Sequence, residues 1–298
     1  MTYRIGIDLG GTKIEIAALM ASGDLEHRVR VPTPPDYRAT IETIAGLVED
    51  AERALGRASG IGVGIPGTIS PATGYVKNAN SERLNGNPFD KDLEARLGRP
   101  VRVSNDANCF AMSEAADGAG AGAHCVFGVI IGTGCGGGVV VGGKVLEGRH
   151  RIAGEWGHTP LPWPRIEEMP MRRCWCGKVG CLETYVCGPA LAAEADGIGA
   201  RDAGGLPARA EAGDERAIRA LDLHAERLAR GLAMIVNILD PDVIVLGGGL
   251  SNLDHLYERV PVLMKPYVIS DTFETPVLRN RHGDSSGVRG AAWLWPAG

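Results

Sequence analysis

The sequence predicts an α/β protein of two domains. Three observations support this fold class: a length of 298 residues, an alternation of apolar strands with helical stretches, and a strand, glycine turn, strand rhythm that occurs twice. A chain of this length can form two domains that each bury a substantial core. Its 44% hydrophobic residues, 22% charged residues and 43 glycines are typical of a globular protein with many tight turns.

The first domain is predicted over residues 1–117. It begins with an apolar strand, "YRIGIDLGG", and two further alternating runs follow. Apolar residues at helical spacing then predict a helix over 37–56, and "IGVGIPG" predicts the next strand. The strand "VRVSND" leads into a helix that fades into small residues, which indicates a domain boundary near Gly118.

The second domain is predicted over residues 118–286. Its opening, "CVFGVIIGTGCGGGVVVGGKVLEG", repeats the rhythm of the first thirty residues, which indicates two related domains; coincidence between two glycine-rich β-meanders is the alternative. An apolar stripe from Leu221 to Leu239 predicts one long helix, and "VIVLGGG" predicts a buried strand after it. The last apolar helix, about 287–298, is too short to form a core alone and is expected to dock back on the first domain.

Charge and hydropathy exclude several classes of partner. The net charge of −5 gives no basic surface, which disfavours nucleic acid as a partner. No apolar run approaches the length of a membrane span, and "MTYRIGIDLGG" lacks the layout of a secretion signal. We therefore expect a cytoplasmic protein without a membrane partner, in which the seven cysteines are thiols or metal ligands before disulfides.

Three apolar strands run directly into glycine turns. Glycine lets a ligand approach bare backbone N–H groups, and Thr12, Thr133 and Lys13 add two hydroxyls and a positive charge. A pair of such turns facing each other would hold a polyphosphate, although a single glycine turn is more often ordinary hairpin chemistry. None of the turns matches a Walker loop or a dinucleotide fingerprint. The three junctions are Ile7–Lys13, Ile131–Gly138 and Leu246–Gly249.

The stretch "SNDANCF" places polar residues at the exit of a strand. Asn105, Asp106 and Asn108 are good turn and N-cap residues, so one interpretation is a capped helix start. The alternative is that Asp106 is a general base presented at the carboxyl end of the strand. The stretch alone leaves both interpretations open.

A cluster of three cysteines, Cys174, Cys176 and Cys181, has the spacing C-x-C-x4-C. Three thiolates this close favour tetrahedral zinc, which needs a fourth ligand; buried or reactive thiols are the alternative. Spacing alone leaves three candidates for the fourth ligand: His158, Cys187 and Cys135. The remaining cysteines are interpreted as small core thiols, and four tryptophans as packing groups: Trp163, Trp175, Trp293 and Trp295.

Five motifs together resemble a known family. "GIDLGGTK", "IGTGCGGG" and "VIVLGGG" resemble, in this order, the phosphate-1, phosphate-2 and adenosine segments of sugar kinases of the actin-like ATPase superfamily. "GEWGH" followed by "CWCGKVGCLE" narrows the resemblance to the ROK family (repressors, open reading frames and kinases). The resemblance covers essentially the whole chain. It implies an actin-like (ribonuclease H-like) fold of two domains with a cleft between them for ATP and sugar.

The resemblance implies roles in catalysis and sugar binding for the Asn and Asp residues. Asp106, the Asp of "NDAN", is the implied base that accepts the proton of the sugar's C6 hydroxyl. Asn105 is implied to hold adjacent hydroxyls, and Asn80 of "KNANS" to contact the sugar from the first domain.

The resemblance also selects the fourth zinc ligand. The His of "GEWGH", His158, would complete the zinc site and lie beside the bound sugar. A zinc with four protein ligands is structural, and here it would fix the backbone beside Glu155 and Glu183. Carboxylates suit bidentate hydrogen bonding to neighbouring sugar hydroxyls. Without the cysteine cluster, both glutamates would be interpreted as solvated surface charges.

ATP is the implied phosphoryl donor and Mg²⁺ the implied cofactor. Mg²⁺ would bridge the β- and γ-phosphates, with Asp8 holding it through water, and domain closure would exclude bulk water. The implied nucleotide-binding residues are Asp8, Gly10, Gly11, Thr12, Lys13, Gly132, Thr133, Gly134, Gly136, Gly247, Gly248 and Gly249.

Within the family, the chain resembles the bacterial fructokinase (manno-fructokinase) branch in "VKNANSERLNG", "EWGHTPLPW" and "HGDSSGVRGAAWLWP". The expected reaction is therefore ATP-dependent phosphorylation of D-fructose to fructose 6-phosphate. The alternatives are a kinase for N-acetylglucosamine, N-acetylmannosamine, glucose or mannose, and a non-catalytic sugar sensor. A sugar-responsive repressor is disfavoured because "GIDLGG" begins at Gly6, which leaves no room for an N-terminal winged helix-turn-helix. Family members are usually dimers, so a homodimer is the expected assembly.

Overall fold

Residues 2–79 and 81–296 are described by the computed structural model, and their contacts group the chain into two units. Unit 1 comprises Met1–Gly122, Gly138–Gly154 and Arg281–Gly298, and unit 2 comprises Ala123–Gly137 and Glu155–Asn280. The contacts assign Gly138–Gly154 to unit 1, whereas the sequence places that segment in the second domain. The predicted domains, 1–117 with about 287–298 and 118–286, stay a prediction.

A mixed five-stranded sheet forms the centre of unit 1. The strands of this part of the chain are β1 (Tyr3–Leu9), β2 (Lys13–Met20), β3 (Leu25–Pro32), β4 (Gly60–Ile65), β5 (Thr68–Ile69), β6 (Val76–Lys77) and β7 (Arg102–Asn105). The sheet has the order β3-β2-β1-β4-β7, and β5 and β6 form a separate pair. Strands β1, β2 and β3 are antiparallel neighbours, whereas β1, β4 and β7 are parallel, as expected for the predicted α/β class.

The parallel pairing brings two predicted motifs to one edge of this sheet. Asp8 of β1 lies opposite Gly64 of β4, and Gly64 lies opposite Ser104 of β7. The carboxyl ends of these strands therefore meet. Asp8 and the Asn105-Asp106 junction lie at the same sheet edge, although they are far apart in the sequence.

Three helices follow strands of unit 1. They are α1 (Tyr37–Leu55), α2 (Phe89–Leu97) and α3 (Asp106–Ala116). Helix α1 begins after Asp36, whose carboxylate accepts a hydrogen bond from the Ala39 N–H at 2.8 Å. Its buried face includes Ile41, Ile44 and Val48, which is the apolar stripe that predicts this helix from the sequence.

A second five-stranded sheet contains strands that follow Gly122 in the chain. The strands are β8 (Cys125–Ile131), β9 (Cys135–Val141), β10 (Lys144–Val145), β11 (Val243–Gly247) and β12 (Val277–Arg279), in the order β10-β9-β8-β11-β12. Of these, β8, β11 and β12 lie in unit 2, whereas β10 and most of β9 lie in the segment Gly138–Gly154 that is grouped with unit 1. Strands β8 and β11 are parallel, with Ile130 opposite Gly247, so the turns after these two strands lie at the same sheet edge. The helices of unit 2 are α4 (Glu183–Val186), α5 (Gly188–Asp196), α6 (Leu206–Glu211), α7 (Glu215–Leu239) and α8 (His255–Met264).

Helix α7 is the long helix that the apolar stripe predicts. It begins after Asp214, whose carboxylate accepts a hydrogen bond from the Arg216 N–H at 2.9 Å. It ends at Asp240, which adopts a left-handed backbone with φ of 48° just before Pro241. The buried positions of the stripe include Leu221, Ala225, Leu228 and Leu232. In residues 2–79 and 81–296, no helix is both long enough and apolar enough to cross a membrane.

Helix α7 also carries two buried arginines that the apolar pattern does not predict. Arg227 and Arg230 both donate hydrogen bonds to Glu168 Oε1, at 2.9 and 2.6 Å. Burial raises the pKa of Glu168, but the hydrogen bonds from Arg230, from the Arg165 backbone N–H and from Arg227 outweigh it and lower this pKa to about 2. Arg230 also donates to two loop carbonyls, those of Pro162 and Trp163. The cluster thus holds the loop over residues 161–169 against α7.

The last helix, α9 (Ser286–Trp293), packs on β1, β4 and α3 of unit 1. Glycines make these contacts possible. A Cβ on Gly6 would lie 1.9 Å from a carbonyl oxygen of α9, and one on Gly62 would lie 1.8 Å from another. A Cβ on Gly290 would lie 1.6 Å from the Cys109 carbonyl oxygen of α3. Glycines inside "RIGID" and "GIGVG" are therefore docking positions for a helix backbone.

Candidate functional site

The glycine turn between β1 and β2 presents an accessible stretch of backbone. The Gly10 N–H donates to the Lys13 carbonyl at 2.9 Å, and Thr33 Oγ1 donates to the Gly10 carbonyl at 2.9 Å. A Cβ on Gly11 would have no heavy atom within 4 Å, and residues 11–13 are exposed. The turn therefore has room for a phosphate beside its N–H groups, as the predicted role of Gly10, Gly11, Thr12 and Lys13 requires.

Asp8 occupies the end of β1, immediately before this turn. Burial, and then the nearby Glu15 carboxylate, raise the pKa of Asp8, while Lys13 and Arg30 lower it. Extra positive charge beside Asp8 would stabilise its ionised form. A hydrated Mg²⁺ ion supplies such charge, so Asp8 fits the predicted role of holding one.

In the stretch "SNDAN", Asn105 and Asp106 are the two residues at which α3 begins. Asn105 is the N-cap of α3: its Oδ1 accepts a hydrogen bond from the Ala107 N–H at 2.9 Å, and its Nδ2 donates to the Gly67 carbonyl at 3.1 Å. Asp106 is the first helical residue, and it is exposed although the next eight residues are all buried. Asp106 Oδ1 also accepts from the Ala107 N–H, at 2.8 Å, so the N-cap and the candidate base are neighbouring residues that share one backbone donor. Both interpretations of this stretch can hold at once.

Asn80, the third predicted sugar ligand of this region, lies outside the described residues. The backbone just before it is held by Asn85. Asn85 Oδ1 accepts from the Ala79 N–H at 3.0 Å, and Asn85 Nδ2 donates to the Ala79 carbonyl at 2.9 Å. The role of Asn80 stays a prediction.

Two glycine turns of unit 2 lie side by side. The Gly132 N–H donates to the Gly134 carbonyl at 3.0 Å, and the Gly132 carbonyl accepts from the Gly188 N–H at 2.7 Å. At the end of β11, Gly248 has φ of 79°, and a Cβ there would lie 2.5 Å from the Ile131 carbonyl oxygen. The structure therefore brings together two predicted nucleotide segments. One segment contains Gly132, Thr133 and Gly134 in the turn and Gly136 in β9, and the other contains Gly247 at the end of β11 with Gly248 and Gly249 after it.

Glu183 connects the first of these turns to the cysteine cluster. Its Oε2 accepts a hydrogen bond from the Cys135 N–H at 2.9 Å, and its Oε1 accepts one from Trp175 Nε1 at 2.7 Å. A Cβ on Gly134 would approach Glu183 Oε2 to 3.0 Å, so a glycine at this position keeps the contact open. Each carboxylate oxygen thus has one protein donor, and the direction of the carboxylate is fixed.

The knuckle, which we define as His158, Cys174, Cys176 and Cys181, has the geometry of a tetrahedral metal site. The four ligand atoms lie within 4.8 Å of one another. The Cys174 Sγ to His158 Nδ1 distance is 3.6 Å, and the Cys176 Sγ to Cys181 Sγ distance is 3.5 Å. Sulfurs about 2.3 Å from a tetrahedral zinc are about 3.8 Å apart, so these four residues fit zinc. Of the three candidates for the fourth ligand, His158 is the one in this set.

The thiols of the knuckle also suit a bound cation electrostatically. Burial raises the pKa of Cys181 to about 12 and raises that of Cys174, whereas the Lys178 backbone N–H lowers that of Cys176. Thiols with a raised pKa stay protonated at neutral pH unless a cation stabilises their thiolates. A zinc ion would supply that charge.

Glu155 lies just outside the knuckle. It precedes the short 3₁₀ turn Trp156–His158, and its carbonyl accepts a hydrogen bond from the His158 N–H at 3.2 Å. Its side chain is exposed, whereas that of Glu183 is half-buried. The knuckle thus positions both predicted sugar carboxylates, one through a backbone contact and one through Trp175.

Trp175 is 68% exposed and so is not the packing group that the sequence predicts. Trp163 is 47% exposed but does pack, with its ring against that of Tyr267. Trp175 lies in a loop, where turn geometry and not a core face sets the direction of its side chain. Its contact with Glu183 joins this loop to the first residue of α4, and no spacing rule in the sequence signals it.

Two solved structures resemble the whole chain. The ROK hexokinase from Thermus thermophilus has a TM-score of 0.86 and 34% identity, covering 98% of this chain and 97% of that one. A ROK family glucokinase from Streptomyces griseus, solved with glucose and AMPPNP, has a TM-score of 0.77 and 28% identity, covering 99% and 100%. The predicted α/β, actin-like fold class is confirmed by these neighbours.

The expected substrate, D-fructose, and the expected fructokinase branch are wrong. The N-acetyl-D-glucosamine kinase of Pasteurella multocida is 40% identical over 301 residues, which cover 98% of this chain and 99% of that protein. The stretches "VKNANSERLNG", "EWGHTPLPW" and "HGDSSGVRGAAWLWP", from which the fructokinase branch is inferred, therefore do not identify the sugar.

The similarity is not restricted to one unit. A family model described as "ROK family" matches residues 4–297, a span that contains both sheets, all the glycine turns and the knuckle. A match of this extent requires the order of the motifs as well as their residues. The chain therefore belongs to the ROK family.

Proposed function

We propose that this chain is an ATP-dependent kinase that phosphorylates the C6 hydroxyl of N-acetyl-D-glucosamine. The observation that carries the proposal is the 40% identity to an N-acetyl-D-glucosamine kinase across 98% of the chain. The match spans both units, so it includes the candidate base and the sugar carboxylates. The ROK hexokinase and glucokinase structures support the coarser activity, phosphoryl transfer to a hexose.

Asp106 is the proposed base. Its carboxylate lies at the first residue of α3, where the backbone N–H groups and the helix dipole favour the ionised form. An ionised carboxylate can accept the proton of the sugar hydroxyl, and its exposure gives a substrate access to it. Phosphoryl transfer passes through a loose transition state, in which positioning matters more than a strongly basic acceptor.

The glycine turns are the proposed phosphate-binding groups. Their N–H groups, together with the hydroxyls of Thr12 and Thr133 and the ammonium of Lys13, can donate to phosphate oxygens. Mg²⁺ bound with ATP would neutralise charge on the β- and γ-phosphates, and Asp8 is the residue that would hold it through water.

Glu183 and Glu155 are proposed to bind the sugar hydroxyls, with His158 beside them. A zinc ion held by His158 and three cysteines would have four protein ligands and no position left for water or substrate. Its role would be to fix the backbone of the sugar-binding turns. The expected homodimer and the expected cytoplasmic location stay predictions.

A panel of sugars tests the proposal. The purified protein would be assayed for ADP release with ATP, Mg²⁺ and each of N-acetylglucosamine, N-acetylmannosamine, glucose, mannose and fructose. We expect the highest kcat/KM with N-acetylglucosamine and a 6-phosphate product by ³¹P NMR. A higher kcat/KM with glucose, the second candidate because of the Streptomyces griseus glucokinase, would contradict the choice of sugar. Binding of sugar without ADP release would contradict the kinase assignment and favour the sensor.

A further inference from the structure

We propose that Trp175 is a sugar-contacting residue that also positions Glu183, so that its indole forms one wall of the sugar site. This inference rests on the proposed function, since it takes Glu183 as a ligand of the sugar. Trp175 lies between two members of the knuckle, Cys174 and Cys176, in a turn that the predicted zinc would hold. Its ring is not itself part of the ligand set.

The first observation is the hydrogen bond between the indole and Glu183. Trp175 Nε1 donates to Glu183 Oε1 at 2.7 Å, while the Cys135 N–H donates to Glu183 Oε2 at 2.9 Å. Each carboxylate oxygen can accept two hydrogen bonds, so each retains one acceptor position. Two neighbouring hydroxyls of a sugar can therefore donate to Glu183 at the same time. The two protein donors prevent rotation of the carboxylate and preorganise it for that pair.

The second observation is the exposure of the indole. Trp175 is 68% exposed, although a ring of this size gains most by being covered. The ring of His158 meets it edge to face, with centroids 5.0 Å apart, and is its one aromatic contact within residues 2–79 and 81–296. Most of the indole face is left for a ligand, and it lies directly beside the carboxylate that a sugar would bind.

The other tryptophans use their rings differently. Trp156 is 2% exposed and donates to the Gly136 carbonyl at 3.0 Å, and Trp295 donates to the Ile61 carbonyl at 2.7 Å. Trp163 is exposed, but it packs against Tyr267 with ring centroids 5.0 Å apart. Among the tryptophan N–H contacts described here, that of Trp175 is the one made to a carboxylate.

A hexose has both polar hydroxyl groups and apolar C–H groups, which can contact Glu183 and the indole of Trp175, respectively. Adjacent hydroxyls along one edge of the ring can donate to Glu183, and the C–H groups of the ring or an acetamido methyl group can pack on the indole. A flat apolar surface beside a fixed charged acceptor selects for a ligand with both features. The chemical class that fits is a hexose with two free neighbouring hydroxyls, and an N-acetyl group adds apolar area to the contact.

Two variants separate the hydrogen bond from the aromatic wall. W175F keeps a ring and loses the N–H donor, and W175A loses both. We expect the sugar KM to rise about tenfold in W175F, the effect of one hydrogen bond to a charged group, and further in W175A. The KM for ATP should change less than about twofold, because no phosphate-binding residue is altered. Zinc content should stay at the wild-type level in both variants, which checks that the knuckle is intact.

Tryptophan fluorescence gives a readout that a purely structural role would not change. Addition of N-acetylglucosamine without ATP should shift the emission of the wild-type protein and protect it from quenching by iodide. The matched control is W163F, which removes the other exposed loop tryptophan and should keep both effects. W175F should lose both.

Two results would overturn the inference. One is an unchanged sugar KM in W175F together with an unchanged sugar-dependent emission shift. The other is a shift that disappears in W163F and persists in W175F. A wild-type protein that releases no ADP with any sugar would contradict the proposed function, and sugar protection of Trp175 from iodide in that protein would still support the contact.

Discussion

The N-terminus of α3 and the knuckle region each present a carboxylate, but the two carboxylates differ in exposure and in their donors. Asp106 is exposed at the start of a buried helix, where its Oδ1 and the Oδ1 of its neighbour Asn105 accept from the same Ala107 N–H. Glu183 has a protein donor on each oxygen, one from Trp175 and one from Cys135. A base must be reachable by the proton that it accepts, whereas a carboxylate that orients hydroxyls must keep one direction. The difference between the two regions therefore follows the roles proposed for them.

The largest effect is expected at Asp106. D106N keeps the size of the side chain and removes the proton acceptor, so kcat should fall by about 10²–10⁴ with little change in stability. Steady-state ADP release and thermal unfolding measure the two quantities. The matched control is D36N, an Asp-to-Asn change at the start of another helix of unit 1, where Asn is an equally good cap. A wild-type kcat in D106N would contradict the proposal that Asp106 is the base.

The ionic cluster of Glu168, Arg227 and Arg230 tests how firmly the loop over residues 161–169 of unit 2 is held against α7. E168Q leaves Arg227 and Arg230 buried without their full counter-charge, so the free energy of unfolding should fall by about 3 kcal/mol. Urea denaturation measures this change. R165A, which removes an exposed side chain of the same loop, should cost much less.

The same cluster predicts a pH dependence. The pKa of Glu168 is lowered to about 2 in the folded protein, from an ordinary value of 4.5. The unfolded state therefore binds the proton more readily, and the stability that Glu168 contributes is present above about pH 4.5 and is lost as the pH falls towards 2. E168Q should show a smaller loss of stability over this window than the wild type. Parallel curves for the two proteins would show that another group dominates.

Loss of a proposed zinc ligand in the knuckle should weaken sugar binding by Glu183, through the turn that carries Trp175. C176S removes one of four proposed ligands, so zinc content should fall and the sugar KM should rise about tenfold, because the turn that carries Trp175 loses its support. The control is C187S, a buried cysteine of unit 2 that lies outside the knuckle, where zinc content and KM should be unchanged. Zinc loss in C187S would restore that residue as a candidate ligand.

The smallest effect on stability is expected at Gly11. A Cβ on Gly11 meets open space, so G11A should leave stability within about 0.5 kcal/mol of the wild type and should raise the KM for ATP several-fold, since the methyl group occupies the proposed phosphate position. G248A, at a positive φ and close to the Ile131 carbonyl, should cost about 1–3 kcal/mol in stability. An unchanged KM for ATP in G11A would show that the free space at Gly11 has no role in binding the nucleotide.

Local patterns in the sequence predict most of the fold. The stripe on α7 reflects its buried face, and Asn105 caps α3 because its neighbours along the chain supply the N–H groups. The contacts of Glu168 with α7 and of Glu183 with Trp175 are different in kind. They join residues brought together by loops, and neither helical nor strand periodicity records such pairs. The motifs identified the family, but the stretches used to choose the sugar gave the wrong hexose, because no pairing of side chains across loops can be derived from the spacing of residues in the sequence.

The glycines beneath α9 have a consequence for synthesis of the chain. The strands and the helix that receive α9 are complete by Ala116, whereas α9 begins only at Ser286. During translation, the face of the first sheet that binds α9 therefore stays uncovered until the residues of unit 2 have been synthesised. The N-terminal unit is synthesised first, but its fold can be completed only when α9 has been made.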